Sequence, residues 1–221
     1  NYIIVNNINS KLLSNLLEER RNIGIYEIDG IIITDNNVYE REKNKYPKHS
    51  KAFKMVIDDQ TAEVIVSGIT WEPSMYGVLN PVVNVSSILI DGVKISNVTG
   101  NNARFILNNN IGGLIGPGST IKLTRSGGVI PKILKVIKPY QGDINDCLPD
   151  RNKYIDGYEW NHTNVDIVLN NPDINKTVQL KRIEYFFNQL GVSYFKSGMV
   201  KRVFDGGFDS ILKILNMSKN D

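Results

Sequence analysis

Two short stretches of the chain carry charged groups that could act on phosphate. Asp29 precedes Gly30 within a β-branched run, and Lys54 ends the run Ala52-Phe53-Lys54. A carboxylate is a ligand that Mg²⁺ prefers, and a positioned ammonium group can neutralise phosphate oxygens. Taken alone, Asp29 also fits a turn before glycine, and Lys54 also fits a solvated strand edge. Arg21, eight residues before Asp29, fits either a helix C-terminal cap or a substrate contact.

The elements that must position these groups follow from hydrophobic periodicity. Leucines at helical spacing predict an amphipathic helix over residues 11–21, and the β-branched residues 23–34 predict a buried strand that ends near the carboxylate. Short strands between glycine and asparagine turns over residues 84–139 are typical of a small barrel. Further strands are predicted over residues 52–57, 62–71, 85–90, 93–95, 120–125, 129–137 and 160–169. Helices are predicted over residues 102–108, from residue 178 to 190, and over 199–204 and 210–217.

Composition bounds the class of protein. The 221 residues, 41% of them hydrophobic, suit one large domain or two small ones with a real core. The net charge of +3 is weak evidence for a nucleic-acid partner unless the basic groups are clustered. Cys147 is the only cysteine, so a disulfide framework and a cysteine-rich zinc site are excluded. His49 and His162 lack neighbouring ligands in sequence and are expected to be surface or packing residues.

A series of short motifs occurs in a fixed order along nearly the whole chain. The motifs are Arg21, Glu27-Ile28-Asp29-Gly30, Ala52-Phe53-Lys54, Trp71, Gly77, Pro81, Ile95-Ser96-Asn97-Val98-Thr99, Asn101-Asn102, Arg125-Ser126-Gly127-Gly128-Val129-Ile130-Pro131, and Gln179-Leu180-Lys181 with Ile183, Tyr185 and Phe186. This order resembles the NAD-dependent DNA ligases. The resemblance implies an enzyme that seals 3′-hydroxyl/5′-phosphate nicks in duplex DNA through adenylate intermediates, with release of AMP and nicotinamide mononucleotide.

The resemblance also implies roles for particular residues. Arg21, Asp29 and Lys54 would be catalytic: Lys54 would contact the adenylate phosphate, and Asp29 would hold the metal. Lys54 and Glu27 would bind the cofactor. The expected cofactors are therefore NAD and Mg²⁺. No zinc is expected, because the cysteines of the zinc ribbon found in bacterial members are missing and Cys147 alone is left.

The same resemblance places DNA contacts in the barrel and in the helices that follow. The candidates are Asn97, Thr99, Asn101, Asn102, Arg104, Arg125, Lys132, Lys196 and Gly198. Polar and basic side chains of this kind contact phosphates without reading bases, and the amides of a helix N-terminus attract phosphate. Ordinary turn and surface polar groups are the alternative for the barrel residues, and a helix cap is the alternative for Lys196 and Gly198.

The expected fold class is α+β. The end of a nucleotidyltransferase (adenylation) domain is predicted over residues 1–75, an OB-fold β-barrel over 76–140, a linker replacing a zinc ribbon over 141–177, and part of a helix-hairpin-helix domain over 178–221. The expected partner is nicked double-stranded DNA. The expected location is a bacterial cytoplasm or a site of viral DNA replication, with no membrane association.

The chain also departs from the family. No Lys-x-Asp-Gly motif occurs, so the missing adenylation half that carries the nucleophilic lysine would have to lie upstream or on a separate subunit. Thr34, Met75 and Gly128 stand where the family usually has lysine, a basic residue and aspartate. These changes fit a divergent, viral or phage branch. They also fit a non-catalytic DNA-binding subunit or scaffold derived from a degenerate ligase. A third interpretation is a protein that binds single strands. It needs exposed aromatic residues on the barrel, and this part of the sequence offers few of them, Phe105 and Tyr140 at its edge.

Overall fold

The computed structural model describes residues 2–26, 28–40, 45–54, 61–90, 92–126 and 130–218. The described helices are α1 (Ser10–Ile23), α2 (Ala103–Leu107), α3 (Lys176–Gln189), α4 (Ser197–Asp205) and α5 (Ile211–Leu215). The described strands are β1 (Ile31–Thr34), β2 (Ser50–Phe53), β3 (Thr61–Pro73), β4 (Val78–Ile90), β5 (Val93–Thr99), β6 (Thr120–Ser126), β7 (Ile130–Lys138), β8 (Tyr158–Trp160) and β9 (Ile167–Leu169). The large antiparallel sheet with separate helices agrees with the expected α+β class. The order of domains stays a prediction.

The N-terminal part consists of α1 and a two-stranded antiparallel sheet. The Asn9 side chain accepts a hydrogen bond from Leu12 N at 2.9 Å and caps α1. The helix ends where Gly24 N donates to Arg20 O, and a Cβ on Gly24 would lie 2.6 Å from that oxygen. Glycine is therefore required for the chain to turn away at this point.

The buried strand expected over residues 23–34 is wrong in length and in burial. Its first residue completes α1, and within the described part only Ile31–Thr34 forms a strand. Ile25 is 95% exposed and Ile32 is 77% exposed. The physical reason is that β1 pairs with β2 alone and that burial alternates along it: Ile31 and Ile33 are partly buried, whereas Ile32 lies on the exposed face. Beta-branched composition signals a strand, but it does not say what covers it.

The seven-stranded sheet is centred on two long strands. β3 pairs with β4 and β6, β4 also pairs with β5 and β9, and β6 pairs with β7. β5 and β7 contact each other, so strands β3 to β7 curl toward a barrel. Register shifts between Val66 and Gly68 and between Asn84 and Ile88 supply the local bends that this curvature needs. β3 lies before residue 76, so the sheet begins earlier in the chain than the segment predicted as an OB-fold.

Three apolar clusters hold the described elements together. The barrel interior is filled by Val64, Val66, Val83, Val85, Ile90, Ile95, Val98, Ile106, Ile115, Ile121, Leu123, Val136 and Cys147. A second cluster joins the far ends of β3 and β4 to β9 and α3 through Trp71, Leu79, Tyr154, Leu169 and Val178, among others. The third packs α3 against α4 through Ile183, Phe187 and Val200. Burial of each aliphatic side chain contributes about 1.5–3 kcal/mol to the stability of the fold. Because β3 and β4 supply residues to both the first and the second cluster, these strands connect the barrel with the helices.

The single strand expected over residues 160–169 is also wrong. It is a hairpin of two three-residue strands, β8 and β9, joined by a turn. The Asn161 side-chain oxygen accepts hydrogen bonds from Val165 N at 3.2 Å and from Asp166 N at 3.3 Å. Asn164 adopts a φ of 51°, which asparagine tolerates better than most residues. The polar turn therefore interrupts what its flanking apolar residues indicate as one strand.

Candidate functional site

The residues expected to act on phosphate come together at the open end of the β1–β2 hairpin. Lys54 Nζ donates to Asp29 Oδ2 at 2.5 Å, and both side chains are 53% exposed. The chain approaches closely here, because a Cβ on Gly30 would lie 2.6 Å from Phe53 O and 2.9 Å from Lys54 Cγ. The glycine after Asp29 is therefore what allows the carboxylate and the ammonium group to meet.

Electrostatics at this pair favour the charged state of the Asp29 carboxyl. The hydrogen bond from Lys54 and its positive charge lower the pKa of the Asp29 carboxyl below its ordinary value, with a smaller contribution from Arg21. Because both side chains are half exposed, incoming phosphate oxygens can reach Lys54 from solvent. The arrangement is an ammonium group held in place by a carboxylate that an anionic substrate could replace.

Arg21 lies in the last turn of α1 and holds the backbone just before the pair. Its Nε donates to Ile28 O at 3.0 Å, and its Nη2 donates to Asp29 O at 3.2 Å. Its Nη1 is buried and has no hydrogen-bond partner in the part of the chain that the structure describes. Arg21 therefore fixes the loop that carries Asp29. Glu27, expected to bind the cofactor, lies outside the described residues.

Among the described residues, Asp29 is the carboxylate at this site that could bind a divalent cation. No group of three or more His, Cys, Asp or Glu that could hold a metal occurs among the described residues. Mg²⁺ commonly takes only one or two protein carboxylates and completes its shell with substrate phosphates and water. Asp29 fits that mode of binding, provided that phosphate is present. A closed metal site built from protein side chains alone does not fit this region.

The predicted DNA-binding residues at the end of β5 build a turn and a helix cap. Asn101 N donates to Thr99 Oγ1 at 3.1 Å, and Asn101 has a φ of 58°. The Asn102 side chain accepts from Phe105 N at 2.8 Å and caps α2. Asn97 is exposed on β5, opposite Asn84. The structure thus brings these polar residues to one edge of the sheet, and their contact with DNA stays a prediction.

Arg104 makes an internal contact that its sequence context does not indicate. Its Nε donates to Asn164 O at 2.9 Å and its Nη2 to Thr163 O at 3.0 Å. The Arg104 backbone N also donates to Val165 O at 3.0 Å. This side chain therefore fastens α2 to the β8–β9 turn, and only the rest of its guanidinium can face a phosphate.

The remaining predicted DNA contacts lie on β6, β7 and α4. Lys132 is exposed on β7, in register with Thr124, while the Arg125 side chain and the glycine turn after it lie outside the described residues. Lys196 Nζ donates to Asn188 Oδ1 at 2.5 Å. Gly198 is in the first turn of α4, where Ser197 N donates to Glu184 Oε1 at 3.1 Å. One amide of this helix N-terminus is therefore already bound to a carboxylate.

Three carbonyls at the end of β3 are bound by side chains from later in the chain. Tyr154 Oη donates to Trp71 O at 2.6 Å, Lys181 Nζ to Pro73 O at 2.6 Å, and Arg182 Nε to Met75 O at 2.8 Å. We call this set the carbonyl clamp. Sequence reasoning missed it, because its donors and acceptors are more than eighty residues apart. The clamp fixes α3 against the β3–β4 turn.

The structure bears on two general expectations. Among the described residues, no helix has both the length and the apolar character required to cross a membrane.

His49 stacks on Tyr39 with ring centroids 4.0 Å apart, and Tyr39 Oη donates to Asp35 Oδ2 at 2.8 Å. His49 therefore packs at the hairpin end opposite Asp29 and Lys54.

Comparison with known proteins adds a separate line of observation. No protein-family model matches the chain. It is 36% identical over 220 residues to a protein named DNA ligase from Acanthamoeba polyphaga mimivirus, covering 100% of this chain and 32% of that protein. It is 29% identical over 201 residues to one from Desulfatibacillum aliphaticivorans (89% and 30% covered), and 35% identical over 138 residues to one from Shewanella baltica (61% and 20% covered). The chain thus spans about a third or less of the length of these relatives.

Proposed function

From the homology of this chain to part of viral and bacterial proteins named DNA ligase, we propose that it is a segment of an NAD-dependent DNA ligase. The complete protein would seal 3′-hydroxyl/5′-phosphate nicks in duplex DNA. The chain would supply the last part of the adenylation domain, an OB-fold and the start of a helix-hairpin-helix domain. The missing adenylation half, with the Lys-x-Asp-Gly motif, would come from upstream residues or from a partner subunit.

The observation that carries the catalytic proposal is the meeting of Lys54 with Asp29. Two residues far apart in sequence form a 2.5 Å contact, and Arg21 holds the backbone of one of them. An isolated exposed ion pair contributes little to stability, usually less than about 1 kcal/mol. The close approach of the chain at Gly30 brings Lys54 and Asp29 together, and the small stability gained from such a pair does not explain it well. It is well explained if the ammonium group must be positioned for a substrate phosphate.

The residues would then act on the last chemical step as follows. The 3′-hydroxyl oxygen bonds to the 5′-phosphorus of an adenylated nick, the bond from that phosphorus to AMP breaks, and the hydroxyl proton passes to solvent. Lys54 would leave Asp29 and stabilise the negative charge on the transferring phosphate. Asp29 would bind Mg²⁺ together with phosphate oxygens, and the bound ion would supply further charge neutralisation. Arg21 would keep the Asp29 backbone in place.

The barrel and the helices would hold the duplex. The exposed polar residues at the end of β5 and the exposed Lys132 on β7 lie on strands that contact each other. Side chains of these types bind phosphates without reading bases, as an enzyme acting at any nick requires. The carbonyl clamp would keep the helices at a set position relative to the barrel while the protein encircles DNA.

A direct test uses the complete protein, which is this chain together with the half that carries the nucleophilic lysine. The substrate is a duplex whose nick already bears a 5′-adenylate, so that the first chemical steps are bypassed. Lys54→Ala should slow closure by about 10²- to 10³-fold, the size expected for loss of one charge-stabilising group. Lys51→Ala, an exposed lysine on β2, is the matched control and should keep the wild-type rate. Equal closure by the Lys54 variant and the wild type would refute the proposed role.

The second candidate is a DNA-binding subunit or scaffold without chemistry. Thr34 supports this second candidate, because the family usually has a lysine at this position. The Thr34 hydroxyl is hydrogen-bonded to Ser50 Oγ at 3.0 Å in the β1–β2 hairpin, so this residue supplies no positive charge there. Binding of nicked duplex by the complete protein, with no closure of the adenylated nick under any metal condition, would favour this candidate.

A further inference from the structure

The connection between α3 and α4 carries an aromatic residue in an unusual backbone conformation. Tyr194 has a φ of 65° and is 92% exposed. The left-handed region is uncommon for residues other than glycine and is an outlier for a bulky side chain. Such residues persist where their surroundings hold them, and they concentrate at sites that bind a ligand.

The residues on both sides of Tyr194 are held in place. Val192 N donates to Phe187 O at 3.1 Å, and the Phe195 ring packs edge-on against Phe187 with centroids 4.7 Å apart. Lys196 Nζ is bonded to Asn188. The backbone on both sides of Tyr194 is therefore fixed, and the tyrosine ring itself is exposed to solvent.

Exposed apolar side chains lie close to Tyr194 in sequence, in a segment with an excess of positive charge. Leu190 is 61% exposed, Val192 41% and Met199 42%, all within a few residues of Tyr194. Between residues 176 and 217 the chain has seven Lys and Arg against three Asp and Glu, whereas the whole chain has 26 against 23. The segment's excess of four positive charges is therefore larger than the excess of three in the whole chain, and the rest of the chain is slightly acidic. A partner must offer negative charge together with flat apolar faces, which is the chemistry of nucleic acid.

We propose that Tyr194 packs its ring on a base or sugar of the nicked duplex and thereby positions the helical segment on DNA. The proposal rests on the proposed function and deepens it by naming an apolar contact beside the phosphate contacts. The left-handed backbone conformation of Tyr194 would then orient the ring toward the DNA. A glycine there would relax the backbone, but it would remove the contact.

The test measures binding of a fluorescently labelled nicked duplex to the complete protein by anisotropy, alongside thermal unfolding. Tyr194→Ala should weaken binding about 5- to 100-fold, the range for loss of one aromatic contact to a base. Tyr194→Phe should stay within about twofold of the wild type, because the ring and not the hydroxyl makes the contact. Tyr2→Ala, which removes another tyrosine that is 87% exposed, should leave binding unchanged.

Two further measurements separate this contact from a structural or purely ionic role. Tyr194→Gly should raise the Tm and weaken binding, opposite directions that a structural role does not give. Tyr194→Ala should leave the salt dependence of binding unchanged, whereas Lys196→Ala should reduce its slope by about one. Wild-type affinity in Tyr194→Ala, or a fall of both Tm and affinity in Tyr194→Gly, would overturn the inference and leave the ligase proposal standing. Failure of the wild-type complete protein to bind nicked duplex would contradict both.

Discussion

Lys54 Nζ lies 2.5 Å from Asp29 Oδ2, across the open end of the hairpin formed by β1 and β2. The contact joins a carboxylate two residues before β1 to the residue directly after β2. It fixes the Lys54 ammonium group beside the carboxylate at this end of the hairpin. Under the proposed function, substrate phosphate would compete with the Asp29 carboxylate for Lys54.

The Asp29 carboxylate should stabilise the hairpin in a pH-dependent way. The pKa of Asp29 is lowered in the folded protein from an ordinary value of 3.8, chiefly by the hydrogen bond from Lys54. Its contribution is therefore present above about pH 4 and is lost as the pH falls through the lowered pKa. Amide hydrogen exchange in β1 and β2 should be slower in the wild type than in Asp29→Asn at pH 6, and the difference should vanish in acid. A difference that persists or grows in acid would contradict the ion pair.

Removal of Arg182 should loosen the carbonyl clamp. Its Nε donates to Met75 O, and its Nη1 lies 2.6 Å from the largely exposed Asp173 carboxylate. The exposed ion pair adds little, whereas a charged hydrogen bond to a backbone carbonyl contributes about 1.5–3 kcal/mol. Arg182→Ala should lower the free energy of unfolding by about that amount in urea titrations. Lys201→Ala on the exposed side of α4 is the control, and an equal effect in both variants would argue against the clamp.

Tyr140 should make the protein sensitive to alkali. Its hydroxyl donates to the Asp146 carboxylate, which raises the pKa of Tyr140 from 10.0 to about 12. Because the folded pKa exceeds the unfolded one, the protonated hydroxyl stabilises the fold below about pH 10, and this contribution is lost as the pH approaches 12. The urea midpoint of the wild type should fall more steeply over this range than that of Tyr140→Phe. Parallel curves for the two proteins would show that the hydrogen bond has no such role.

Cys147 should be unreactive in the folded protein. It is fully buried in the barrel cluster, and burial, together with the charges of Asp146 and Asp143, raises the pKa of its thiol to about 11. The thiolate is the reactive form, so modification by iodoacetamide at pH 8 should be negligible in the native state and complete after unfolding. Intact mass measures the modified fraction directly. Rapid native labelling would show that the barrel opens at this end.

Local features of the fold were predictable from the sequence because they depend on neighbouring residues. The short helix near residues 102–108 and the two strands near residues 120 and 137 are examples. The β8–β9 hairpin was not predicted, since its strands are three residues long and its turn depends on the geometry of Asn161. The exposure of Ile25 and Ile32 was not predictable either, because apolar composition does not reveal what covers a strand.

The candidate site was predictable only in part. The family resemblance assigned Asp29 and Lys54 to one catalytic site, but it did not predict their hydrogen bond, and nothing in their separation along the chain requires a contact. The attachment of Arg104 to the carbonyls of Thr163 and Asn164 depends on how two distant elements pack. No local pattern carries that information. The same holds for the carbonyl clamp, whose donors and acceptors are more than eighty residues apart in sequence.

The central claim is that this chain forms part of an enzyme that seals DNA nicks with NAD. The most direct measurement incubates the complete protein with Mg²⁺, a labelled nicked duplex and either NAD or ATP, and separates the strands on a denaturing gel. Sealing with NAD but not with ATP, with nicotinamide mononucleotide and AMP formed once per joined end, is the predicted result. A duplex that is bound but stays nicked with either nucleotide would contradict the account and identify the protein as a DNA-binding subunit.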